Sequence, residues 1–203
     1  MTEREGVTKF ILEHEECDIA QLDVNALIAW REILLPLGLI GENANRYGGL
    51  GFGNISQRTG AGFVITGSQT GHIGRMSIHD FAEVVDCQSQ LNKINSRGRV
   101  LPSSESMTHG TIYQCNDSIN SVFHVHSPEI WRASRILALS TTSADVPYGT
   151  VEMADAVTGL IKSETGVFCM LGHEDGIVCY GPDPGSTGML LIDTLADAKI
   201  VVA

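Results

Sequence analysis

The chain has 203 residues, of which 43% are hydrophobic and 18% charged, and its formal net charge is −11. That balance excludes a disordered chain and fits one globular domain over residues 1–203. No basic run interrupts the acidity, and a phosphate-tracking groove needs clustered Lys and Arg, so nucleic acid and anionic membrane are poor partners and a small-molecule substrate is expected.

The first strong element runs from about Val24 to Leu37. Ala26, Leu27, Trp30, Ile33, Leu34 and Leu37 recur at helical steps, with Asp23 able to cap the start and Gly38 the end. The glycine-rich GGLGFGNIS that follows reads as a loop built for close backbone approach. Phe63 to Ile65 reads as a strand ending in the turn TGSQTG, and Ala82 to Cys87 as either a strand or a helix. Pro102, Ser103 and Ser104 start a helix over Glu105 to Gln114. Ser121 to His126 alternates as a strand does, and Pro128–Glu129 opens a helix to about Leu139. A helix is expected over Val151 to Lys162, with a hairpin of Val167 to Leu171 and Ile177 to Tyr180 across GHEDG. A last helix covers about Thr187 to Val201. Strands interleave with helices, so the class is α/β or α+β, and the hairpins suggest a largely antiparallel sheet. Periodicity alone leaves the topology open.

His124-Val125-His126 is the most informative tripeptide. Residues two apart on a strand face one side, so both imidazoles project together, and neutral imidazole suits zinc and similar divalent metals. Strand histidines are also often satisfied by hydrogen bonds alone. A catalytic metal generally takes a third protein ligand and keeps a position open. His14 lies in a charged segment and is expected to be solvated, and His72 and His79 sit in polar, turn-rich surroundings. His173 differs, because its turn between Gly172 and Gly176 at a strand end can aim a side chain into a cleft. Glu105, in the first helical turn, is either a dipole-stabilised carboxylate or a general acid/base. His109 lies four residues on, and either orients Glu105 or is a half-buried helix histidine. Asn54, Ser103 and Ser104 serve either as turn and cap residues or as donors of an anion pocket.

The five cysteines are odd in number and scattered without a Cys-x-x-Cys pair, which argues for a reducing compartment. MTEREGVTKF lacks the apolar run of a signal peptide, and no apolar run is long enough to span a bilayer, so a cytoplasmic location is expected.

Taken in order, GNIS (53–56), VITGSQTG (64–71), PSSESMTH (102–109), HVHSP (124–128) and LGHEDGIV (171–178) resemble the motifs of the class II aldolase/adducin family. The resemblance implies a three-layer α/β/α sandwich with a central, mainly antiparallel sheet. It further implies a homotetramer with active sites between subunits. By similarity, His124, His126 and His173 are the ligands of zinc or another divalent metal, and Glu105 is the acid/base. Asn54, Thr70, Gly71, Ser103 and Ser104 match positions that bind the substrate's phosphate in sugar-phosphate members. A cation there would stabilise an enediolate as a carbon–carbon bond breaks or a proton leaves.

The resemblance implies an aldehyde-lyase of carbohydrate metabolism acting on a small hydroxy-carbonyl or sugar(-phosphate) substrate. A dehydratase or epimerase uses the same chemistry, and an adducin-like interaction module is the non-enzymatic reading. Sugar-phosphate epimerases typically have Asp where Glu105 stands, which tilts the reading towards an aldolase or dehydratase. Where the family usually has glycine after the third histidine, this chain has Glu174 and Asp175. Those carboxylates would repel a phosphate unless they point away, which leaves an unphosphorylated substrate open. Tyr148 lies near the region where some sugar-phosphate aldolases supply a tyrosine, though a turn tyrosine after Pro147 explains it equally well.

Overall fold

The computed structural model of the protein describes residues 6–60 and 62–202, and its organising element is a strand buried along its whole length. That strand is β8 (Ser121–His126), bounded as its alternation predicts. Phe123 and Val125 enter one apolar core and Val122 another, so burial of both faces anchors the strand at about 1.5–3 kcal/mol per large side chain. Around it, β1 (Ile11–Glu16), β4 (Asn54–Arg58), β5 (Phe63–Thr66), β6 (Phe81–Gln88), β7 (Lys93–Gly98), β9 (Ser140–Thr141), β10 (Gly166–Cys169) and β11 (Gly176–Gly181) form one sheet. Its order is β1-β7-β6-β5-β4-β8-β11-β10-β9, and β2 (Gly41–Glu42) and β3 (Gly51–Phe52) pair separately.

The sheet is mixed, which corrects the expected mainly antiparallel one. Its inner pairings are antiparallel, but β1 pairs with β7 and β9 with β10 in parallel at the two edges. Hairpin signals report only antiparallel neighbours. Parallel strands need a crossover, and the chain between β9 and β10 supplies one through α4 (Val151–Leu160). Side chains of α1 (Asn25–Leu34), α3 (Pro128–Ala133) and α5 (Pro184–Val202) share a core with Ile55, Val64, Phe123 and Val125. Those of α2 (Ser106–Cys115) and α4 share the other with Ile65, Val84, Val122 and Val178.

Several expectations are corrected. Part of the glycine-rich stretch is strand, because β4 begins at Asn54. Ala82 to Cys87 lies in strand β6. The helix expected to reach Leu139 stops at Ala133, followed by turns in which Ala138 takes φ +52°. His14 is not simply solvated: on β1 its ring meets Ser96 Oγ at 2.9 Å and the Gly98 carbonyl at 3.1 Å. The first helix ends at Leu34, where Gly38 at φ +68° lets Leu39 N–H reach back to the Leu34 carbonyl, the left-handed stop that its glycine predicts.

Helix α5 crosses Trp30 of α1 at Gly188, where an added Cβ would lie 2.5 Å from the indole ring. Alanine is the better helix former by about 1 kcal/mol, but overpacking costs about 1–3 kcal/mol. The steric effect therefore wins, and Gly188→Ala is expected to lower the denaturant midpoint. A raised midpoint would show that the helices part freely here.

Candidate active site

The register of β8 assembles the site. His124 and His126 project from the same face as Val122, the face covered by α2. On one side β4 pairs Asn54 with His124, and on the other β11 pairs Gly176 with His126. The second pairing sets the turn between β10 and β11 beside His126, and His173 lies in that turn. His173 N–H donates to the Met170 carbonyl, and Gly176 N–H donates to the His173 carbonyl. Candidate ligand atoms of His124, His126 and His173 all lie within 4.8 Å of one another, and the three residues are buried. Glu105, at the N-terminal cap of α2 and 1% exposed, brings Oε1 to 3.3 Å from His173 Nδ1 and Oε2 to 4.0 Å from His124 Nδ1.

His124 and His126 are held neutral. Burial, reinforced by His173 and His109, keeps His124 well below the usual 6.5. Burial, His173, His124 and Arg46 do the same to His126, opposed by a backbone hydrogen bond to Glu174. Neutral imidazole is the ligand form. The surroundings of His124 also suit a metal ligand. Its Nδ1 lies 3.3 Å from the Asn54 amide, which fixes the ring, while its buried Nε2 has no hydrogen-bond partner among the described residues. Turned over, the Asn54 amide would present Oδ1, which has no hydrogen-bond partner among the described residues, to accept from Nδ1–H and leave Nε2 to a metal, the arrangement of a supported metal ligand.

His109 is fully buried and pushed down to about 3 by that burial. Its Nδ1 meets Ser56 Oγ at 2.7 Å, and Ser56 Oγ meets the Tyr113 hydroxyl at 2.7 Å, so the ring ties α2 to β4. Tyr148 is fully buried and stacks on His173, with ring centroids 4.8 Å apart at 31°. Lys9 Nζ lies 3.9 Å above the Tyr148 ring, and the Tyr148 hydroxyl bonds the backbone of Val7.

The two extra carboxylates behave differently from each other. Glu174 is exposed, whereas Asp175 Oδ2 accepts a 2.8 Å bond from the Tyr47 hydroxyl. The Tyr47 ring meets His126 edge-on at 4.5 Å, and Arg46 donates to both the Tyr47 hydroxyl and the Gly38 carbonyl. Tyr47 and Asp175 both adopt left-handed φ, +50° and +59°. Such backbone persists where surrounding contacts over-determine it. Sequence reading missed this clasp, because residues 128 positions apart carry no local signal.

Asn54, Thr70, Gly71, Ser103 and Ser104 all line one cavity of about 330 Å³. Asn54 joins the two regions, since it lines the cavity and touches His124. Close approach shapes the wall: a Cβ on Gly71 would strike the Gly41 carbonyl and the Gly51 backbone. No Lys or Arg lines the cavity among the described residues, and its titratable lining is Glu42 and His72, 4.0 Å apart.

The buried histidines make stability depend on pH. Unfolded, His109, His124 and His126 titrate near 6.5, whereas folded they stay neutral to lower pH. The unfolded state therefore binds more protons below 6.5, and stability is full above that pH and lost as it falls. Metal-free protein should show a falling denaturation midpoint between about pH 7 and pH 5, with more than one proton taken up on unfolding. An unchanged midpoint would contradict the neutrality of His109, His124 and His126. Tyr47→Phe and Asp175→Gly should each cost about 1 kcal/mol of stability, and the double variant clearly less than their sum. Strict additivity would mean that the two residues act independently.

Comparison with known proteins agrees with this geometry. The family described as Class II Aldolase and Adducin N-terminal domain matches residues 43–196. An L-ribulose-5-phosphate 4-epimerase, UlaF, of Salmonella paratyphi B is 32% identical over 120 residues, 51% of this chain and 53% of that protein. The chain thus spans about half the length of the curated relatives it matches. An L-fuculose-1-phosphate aldolase from Thermus thermophilus shares the fold at TM-score 0.64 and 19% identity, over 87% of this chain and 91% of that one. A sugar-phosphate aldolase from Thermotoga maritima matches at TM-score 0.64 and 16% identity, over 87% and 91%. With its motifs, its fold and three quarters of its length in agreement, the chain belongs to the class II aldolase and adducin family.

Proposed function

We propose that the protein is a divalent-metal-dependent aldehyde-lyase acting on a small hydroxy-carbonyl or sugar-phosphate substrate. The observation that carries the reading is the meeting of three buried histidines with Glu105 beside a cavity of hydroxyl, amide and glycine groups. His124, His126 and His173 would hold the cation, with zinc favoured by the all-nitrogen donor set. Bound there, it would supply a Lewis acid for a substrate carbonyl oxygen.

The remaining work falls to the chain's own groups. Glu105, buried at the mouth of α2, accepts or returns the proton at the substrate carbon or hydroxyl, and its closed surroundings keep bulk water from competing. Thr70, Gly71, Ser103 and Ser104 bind the far, anionic end of the substrate, and Asn54 spans the two regions. Asp175 is tied to Tyr47, and neither Glu174 nor Asp175 lines the cavity, so the carboxylates do not stand against a phosphate.

An epimerase or dehydratase using the same chemistry is the second reading, favoured by the epimerase activity for which the Salmonella relative is named. An adducin-like interaction module is the least supported, because it has no use for a buried triad of histidines. The proposal extends to a three-layer α/β/α arrangement over one domain of residues 1–203. It also extends to a homotetramer with sites between subunits, working in cytoplasmic carbohydrate metabolism. No helix among the described residues is long and apolar enough to cross a membrane.

The test is incubation of metal-loaded protein with ketose phosphates, free ketoses and hydroxy-keto acids, monitored for aldehyde release. Glu105→Gln should lower kcat by about 10²–10⁴-fold with metal content unchanged. Full activity in that variant would remove Glu105 from the acid/base role. An isomerised product without aldehyde would assign the epimerase reading instead.

A further inference from the structure

Arg31 of α1 is 3% exposed, and no carboxylate pairs with it among the described residues. An interior cation without a counter-ion is costly, so its surroundings call for an explanation. Its guanidinium is spent on main-chain oxygens of the loop that walls the cavity. Nη2 donates to the Thr70 carbonyl at 3.1 Å and the Gly71 carbonyl at 3.2 Å, and Nη1 to the Gly74 carbonyl at 3.5 Å. Asp80 acts on it only through space, its Oδ2 being engaged by Ser77 N–H and Oγ.

Peptide geometry turns this into a statement about the cavity. In a trans peptide, a carbonyl and the N–H that follows it point opposite ways, and no peptide bond here is cis. With the carbonyls of Thr70 and Gly71 drawn back onto Arg31, the N–H groups of Gly71 and His72 point away from it. Both residues line the cavity. The backbone N–H groups of Gln69, Thr70, Gly71 and His72 donate to no protein acceptor among the described residues. Gln69, at φ +56°, sits at the bend that exposes them. Successive unsatisfied N–H groups at such a bend form an anion-binding nest.

We propose that Arg31 is the positioning residue of this cavity, holding the Thr70 and Gly71 carbonyls back so that the Gly71 and His72 amides are turned to an anion, and supplying the buried counter-charge behind them. The inference rests on the anion pocket proposed above and adds a positioning residue to it. Arg31 supplies from behind the loop the positive charge that the lining lacks, against Glu42 on the wall. A singly charged carboxylate gains less from the same field.

The experiment is a titration of the metal-loaded protein with inorganic phosphate, and separately with acetate, followed by amide NMR. Phosphate should shift the Gly71 and His72 amides most and bind about tenfold or more tightly than acetate. Arg31→Gln should weaken phosphate about tenfold or more, with metal content retained. Arg31→Lys, which keeps the charge but loses the planar fork, should fall between wild type and Arg31→Gln. Wild-type affinity in Arg31→Gln would overturn the role of Arg31 and leave the pocket standing. Should Arg31→Gln fail to fold, an Arg31→Lys affinity equal to wild type overturns it in the same way. Equal binding of acetate would overturn Arg31 as a counter-charge that favours the more highly charged anion. Wild-type protein with no shift at Gly71 or His72 would overturn both this inference and the anion-pocket reading beneath it.

Discussion

The register of one buried strand governs the whole site. Because side chains alternate along β8, the pairings that put His124 opposite Asn54 and His126 opposite Gly176 also commit Phe123 and Val125 to the opposite core. A slip of one residue would exchange imidazoles for a phenyl ring and an isopropyl group, leaving two unsatisfied polar rings in an apolar core. The packing of Phe123 and Val125 therefore selects the register that gathers the histidines. The same register carries the β10–β11 turn, and with it His173, to the end of the strand.

Charge is placed as deliberately as shape in this acidic chain. His124 and His126 are kept neutral by burial, and Asp175 is tied to Tyr47 and thereby to Arg46. Arg31 spends its donors on the carbonyls of the cavity loop. Together these leave a dry donor set next to a cavity whose walls are backbone and hydroxyl. That combination suits a substrate with a carbonyl at one end and an anion at the other. Closely placed glycines make the walls possible, as at Gly71 against the Gly41 carbonyl.

How much of this was legible in the sequence depends on how local each signal is. His124 and His126 were legible because a two-residue period acts within one strand, and β8 has the bounds its pattern predicts. The hairpin placing His173 was legible from its turn residues. Glu105 and the cavity residues were assembled by motif order, which carries long-range information that periodicity lacks. Strand β7 was hidden because KINSRG is mostly polar, although it pairs with the neighbouring β6. Strand β1 was hidden because ILEHEE is a polar edge segment whose partner β7 lies about 80 residues away. The same distance problem hid the parallel pairings at the sheet edges. Tyr47 with Asp175, Lys9 with Tyr148, and Arg31 with the Thr70 loop are likewise pairings of distant segments, and no periodicity reports them. The solvation expected for His14 failed for the same reason, since its partners sit on β7.

The central claim is that register and burial together prepare His124, His126 and His173 as one divalent-cation site. The most direct measurement is metal content of protein purified without chelator and reloaded with zinc, compared with the His124→Ala/His126→Ala double variant. The account predicts one tightly held ion per chain in the wild type and none in the folded double variant. Substoichiometric metal in the wild type, or an equal content in the variant, would contradict it.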